Sequence, residues 1–276
     1  FSIVSSMILS RYFGKADYGT YKQVLYVYDT LLVVFTLGLP SAYSYFLARV
    51  NITQSRNLIL KISFIFLVMG LLMSASLFIF ADKIGIILNN NDLPDAIRIF
   101  AIVPTLMLPT MGLDGILATF KKARTMAIYN ILTKIFMLLC VALPVLLFDV
   151  DYKGALVGFV TASFVSFLIA EILIFYPLRN SGSEKCSVSY KNIFSFSLPL
   201  LYSSIFGTIQ ISSDSFFVSR YFGKEVFAEF ANGNFDLPFV SMIIGACATV
   251  LSPVFSRLSS QDINPQTEIL PIWKSV

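Results

Sequence analysis

SRYFGK stands at residues 10–15 and again at 219–224. The likeness runs past the six shared letters, because Tyr18 and Tyr21 after the first copy fall on Phe227 and Phe230 after the second. Ordinary residue usage gives such a coincidence in roughly one chain of this size in a few hundred. Long-range self-similarity marks duplicated architectures, so the meaning of the repeat turns on whether both copies occupy the same place in the fold.

Composition fixes that fold class. Apolar residues make up 57% of the 276-residue chain and charged residues 13%, and the mean hydropathy is +0.79. A soluble domain carries about 25% charged residues to cover its surface. A helix crossing about 30 Å of hydrocarbon needs about 20 apolar residues. Seven blocks meet that demand, near 24–48, 58–81, 96–118, 126–148, 154–177, 193–219 and 230–256. Residues 1–12 read as the end of an earlier helix, and ILPIWKSV at the C-terminus as the start of a later one. The expectation is an all-α polytopic membrane protein running from the tail of helix 1 to the head of helix 9. Since it opens on Phe1 inside an apolar run, it reads as a piece of a longer protein. Histidine is absent, which removes the commonest general base and metal ligand. Cys140, Cys186 and Cys247 lie far apart without CxxC spacing, so neither a metal site nor a disulfide framework is expected.

The loops alternate in charge. Arg49, Arg56 and Lys61, then Lys121, Lys122 and Arg124, then Arg179, Lys185 and Lys191 against Glu184 give one side a net +8. The four loops of the other side, which hold both SRYFGK copies, sum to zero. The positive-inside rule makes the first side cytoplasmic and turns both copies outward. Loop bias accounts for the formal charge of +4, so no nucleic-acid partner is implied.

Each copy then closes one helix, 1 or 7, and opens the turn into the next. The 209-residue offset equals six helices, and an even number of spans keeps both copies in one orientation. This is the pattern of a parallel repeat about an axis along the membrane normal, a common transporter plan. The expected organisation is two six-helix lobes, residues 1–177 and 193–276, joined by a cytoplasmic linker over 178–192, with the second lobe truncated.

SRYFGKADYGTYKQVLYVYDTLLVVFTLGLPSAYSYFLAR at 10–49 carries Arg11, Gly14, Asp17, Tyr18, Gly19, Tyr21, Gly38, Leu39 and Arg49. That series resembles the opening of bacterial polysaccharide exporters, the O-antigen flippases among them, in the multidrug/oligosaccharidyl-lipid/polysaccharide exporter superfamily. SFSLPLLYSSIFGTIQISSDSFFVSRYFGK at 195–224 is similar to the same family's helix 7, although Ala228 stands where the first copy has Gly19. The resemblance implies a bacterial inner-membrane protein of twelve or fourteen helices that flips undecaprenyl-linked oligosaccharide outward. Its implied partners are the bilayer, the lipid-linked glycan and other polysaccharide assembly proteins.

Ionisable side chains inside spans mark function or pairing, because exposing one to mid-bilayer lipid costs about 2.5–3.5 kcal/mol or more. Asp29, Asp214 and Asp236 read as cavity residues for a sugar, a pyrophosphate or a coupling ion, H+ or Na+. Asp114, Lys134 and Glu171 read first as pairing charges within the bundle. Arg11 and Arg220 read as helix-end anchors, with a grip on pyrophosphate at the outer mouth as the sharper alternative. Gly38 and Pro40 read as a hinge within helix 2. No cofactor is expected. A sibling transporter, either a multidrug extruder or a peptidoglycan-precursor flippase, shares this fold. A membrane-embedded glycan transferase or polymerase fits poorly, because the DxD at Asp149–Asp151 fills a short turn and no outward loop is long enough for a catalytic one.

Overall fold

The computed structural model describes residues 2–148, 150–178, 184 and 186–234. Asp236, Cys247 and nearly all of the eighth expected helix lie outside them. Among the described residues every regular element is helical: α1 (Ser2–Tyr12), α2 (Lys15–Phe35), α3 (Leu39–Leu47), α4 (Ile52–Ile87), α5 (Leu93–Phe100), α6 (Val103–Thr110), α7 (Leu113–Thr119), α8 (Ala123–Phe148), α9 (Tyr152–Phe175) with a 3₁₀ turn at Tyr176–Leu178, and α10 (Tyr190–Gly233). Four helices, α4, α8, α9 and α10, are each long and apolar enough to cross a membrane, and two bent groups raise the number to six. The chain is a multi-pass all-α membrane protein.

The bends have local causes. The expected 24–48 span starts earlier, at Lys15, and breaks by 43° between α2 and α3. Leu37 and Gly38 both have positive φ, 51° and 66°, and Pro40 sits in the first turn of α3, where its missing N–H costs nothing. Gly38 and Pro40 therefore belong to a helix end and a helix start, not to the inside of one continuous helix. The 96–118 span is likewise broken, by 47°, with Pro104 opening α6. At 36 residues α4 is about 54 Å long, far beyond the roughly 30 Å of hydrocarbon. Phe64, Leu71, Phe78 and Ile79 on it stay exposed, a face suited to lipid.

Aromatic side chains knit the bundle. Phe100 of α5 meets Tyr28 of α2 at 5.3 Å and Phe159 of α9 at 5.0 Å between ring centroids. Tyr43 of α3 stacks on Phe66 of α4, and its hydroxyl hydrogen-bonds Ser63 at 2.8 Å.

α10 runs antiparallel along α2 and α3, seated at two glycines. A Cβ on Gly19 would stand 2.0 Å from the carbonyl oxygen of Lys224, and one on Gly38 would stand 2.8 Å from that of Ser197. Between these seats the Tyr26 hydroxyl donates to the Ser212 carbonyl at 3.2 Å, and beyond the second Tyr45 stacks on Phe196 at 4.1 Å. Phe1–Asn232 forms one compact unit and Gly233–Val276 another, of which only Gly233 and Asn234 are described.

Both SRYFGK copies break a helix at their glycine. Gly14 caps the start of α2 in extended backbone (φ −61°, ψ 155°), while Gly223 interrupts α10 at φ 81°, ψ −179°.

Candidate functional site

The second SRYFGK copy is fastened to the first turns of α2 and to the α4–α5 connection. Its Arg220 donates through Nη1 to the carbonyls of Ile87 (2.6 Å) and Ile86 (3.2 Å). These are last-turn carbonyls of α4, at the negative end of its dipole. Lys224 pairs with Asp92. Lys15 donates to Glu229 at 2.6 Å, an exposed pair that solvent and salt screen. The Tyr18 hydroxyl donates to Asn232 Oδ1 at 2.6 Å.

Beneath these contacts lies a dry amide cluster. Gln23 Nε2 donates to Ser219 Oγ at 2.7 Å, while Asn90 Nδ2 donates to Gln23 Oε1 (2.5 Å) and Thr20 Oγ1 (3.0 Å). Gln23, Ser219 and Thr20 are fully buried and Asn90 is 2% exposed. Each such bond contributes about 0.5–1.5 kcal/mol net, and stranding a buried partner costs about 1–3 kcal/mol. Counting only charged side chains misses this cluster. In the sequence Gln23 stands beside Lys22 just ahead of the 24–48 apolar block, where nothing marks it as buried.

The arginines are not equivalent. Arg220 finishes α4, whereas Arg11, at the last turn of α1, is exposed and makes no hydrogen bond or ion pair with another described residue.

Further along α2, Asp29 lies within electrostatic reach of Lys22 and of Lys134 from α8. Lys22 also donates to Ser6 Oγ at 2.8 Å, tying α1 to α2. Tyr26, three residues before Asp29 and so on a neighbouring part of the helix surface, feels the charge of Asp214 on α10. Asp29 and Asp214 are thus brought to one stretch of the α2–α10 seam.

Asp114 and Lys134 line one polar pocket of about 150 Å³ with Asn130, Thr110, Thr133 and Ser166. Asp114 accepts a hydrogen bond from Asn130 Nδ2 at 3.1 Å. Among the described residues no ion pair joins Lys134 to Asp114 or to Glu171. Glu171 is half-buried on α9 and within electrostatic reach of Tyr43.

The model of the family described as "Polysaccharide biosynthesis protein" matches residues 1–259, nearly the whole chain. The chain belongs to this family. No curated protein and no solved structure matches it. Membership fits the exporter-like openings at residues 10–49 and 195–224, and with the membrane-crossing helices it makes the chain a membrane protein of polysaccharide biosynthesis, of the transporter kind. This polysaccharide biosynthesis protein therefore combines a broken α2–α3 span, charges gathered along it, and a polar closure at one end.

Proposed function

We propose that the protein flips undecaprenyl-diphosphate-linked oligosaccharide repeat units, of O-antigen, capsule or exopolysaccharide, across the bacterial inner membrane by alternating access. The observation that carries this reading is the α2–α10 seam. α2, which follows the first SRYFGK copy, and α10, which contains the second, are joined at that end by the Lys15–Glu229 ion pair and by the Tyr18–Asn232 and Gln23–Ser219 hydrogen bonds. In this reading the SRYFGK end faces the periplasm, residues 1–177 and 193–276 belong to two lobes, and the polar fastening is the outer closure. Asp29 and Asp214, with Asp236, contact the sugar, the diphosphate or a coupling H+ or Na+. The break at Gly38–Pro40 supplies the hinge at the cytoplasmic side.

Deleting the intact gene tests it. Lipid-linked repeat units should accumulate at the cytoplasmic face while peptidoglycan synthesis continues. Normal surface glycan with new drug sensitivity would overturn the proposal in favour of multidrug extrusion, and arrested peptidoglycan synthesis in favour of a peptidoglycan-precursor flippase.

A further inference from the structure

α8 and α9 are antiparallel neighbours that pinch together at one end and part at the other. The pinch is at Gly158, where a Cβ would stand 2.0 Å from the carbonyl oxygen of Cys140. Toward the start of α8 the helices separate around a groove of about 410 Å³, within the range of small-molecule pockets (~300–1,000 Å³). Ile128, Leu132 and Phe136 of α8 face Val165, Ile169 and Leu173 of α9 across it. Ile128, Leu132 and Ile169 are 49%, 59% and 40% exposed, so the groove is open along its side.

Its extent fits one leaflet. From Thr125 to Phe136 the helix rises about 16 Å, roughly half the hydrocarbon thickness. The mouth of the groove is strongly basic. Lys121, Lys122 and Arg124 stand there, and no acidic residue occurs between Asp114 and Asp149. A left-handed turn at Lys121 (φ 56°), closed by the Lys122 N–H on the Leu117 carbonyl, presents these cations at the start of α8. Lys122 Nζ reaches across the mouth to 5.9 Å from the Tyr176 ring centroid, at the end of α9. Tyr129, Thr133 and Ser166 line both the groove and the polar pocket that holds Lys134, so the apolar channel adjoins the interior charges.

We infer that the α8–α9 groove holds the isoprenoid chain of a polyprenyl diphosphate, with the diphosphate at Lys121, Lys122 and Arg124. A single leaflet-deep apolar track beneath three cations that form no ion pair with a described residue matches one chain under a head bearing more than one negative charge. A two-chain phospholipid with a singly charged head matches neither feature. The inference deepens the flippase reading and rests on it for the cytoplasmic placement of the basic mouth.

The experiment uses the full-length protein in phosphatidylcholine nanodiscs and a benzophenone-bearing polyprenyl diphosphate. Photolabel should fall on residues 128–136 and 165–173. Unlabelled polyprenyl diphosphate should compete, and phosphatidylglycerol at equal concentration should not. Removing two cations with Lys122→Gln and Arg124→Gln should lower labelling about tenfold or more without shifting the melting temperature. Leu132→Trp, which fills the track, should remove the label from both segments. Label spread over other helices, equal competition by phosphatidylglycerol, or indifference to the two Gln substitutions would each overturn the inference. Those outcomes leave the gene-deletion phenotype untouched. A deletion with normal glycan would sink the flippase reading whatever the label does.

Discussion

The two SRYFGK copies share six letters and almost none of their surroundings. In the first, Ser10 is exposed and bonds only within its own helix, Arg11 is unpartnered among the described residues, and Gly14 adopts a backbone open to any residue. In the second, Ser219 is fully buried against Gln23, Arg220 caps α4, Lys224 pairs with Asp92, and Gly223 needs a positive φ. The second copy is a bolt, and α2, which follows the first copy, is the plate that receives it. Gly19 is where it seats, which gives a physical reason for glycine there and none for glycine at the matching Ala228. A repeated motif thus locates two turns and leaves their roles to whatever packs around them.

The sharpest way to break the contrast is to fill the seat. Gly19→Leu should cost about 3 kcal/mol or more by driving α10 off α2, because backbone atoms of Lys224 already occupy the space. Gly14→Leu, with open space around it, should leave the melting temperature of the detergent-solubilised full-length protein nearly unchanged. Next in size, Gly223→Ala should cost about 2 kcal/mol, since that backbone region is nearly closed to L-residues, while Gly14→Ala should be close to neutral. Gln23→Leu should cost about 1–3 kcal/mol by stranding Asn90 and Ser219, and a double-mutant cycle with Asn90→Leu should show strong coupling. Additive effects in that cycle would mean that the amides do not act as a unit. Smallest, Arg220→Gln should cost about 1 kcal/mol against no measurable change for Arg11→Gln. Equal losses at both arginines would restore their equivalence.

The spans were legible because hydrocarbon demands long apolar runs. The α2–α3 break showed only as a hinge inside one helix at Gly38 and Pro40, and the break ahead of α6 was not expected. Helix ends were less legible. Hydropathy registers where lipid begins, and α2 starts nine residues before its apolar block while α4 overruns 58–81 at both ends. The expected pairing of Lys134 with Asp114 rested on charge alone, whereas Asn130, one turn from Lys134, is the group that meets Asp114. The amide cluster was hidden for another reason. Its members are uncharged, and Gln23 finds its partners 67 and 196 positions away, a distance no local pattern encodes.

The overrun of α4 has a consequence for how the fastening responds to its surroundings. A helix about 24 Å longer than the hydrocarbon is thick has turns to spare beyond it, and α4 overruns its apolar block at its C-terminal end as well as its N-terminal one. Arg220, Lys224 and Lys15, which solvent reaches, form a wet ring around the joint, and Gln23, Asn90 and Ser219 a dry centre. Salt screens the ring it can reach and leaves the buried amides as they are. Ionic strength thus loosens the rim while the inner cluster keeps the register of the joint.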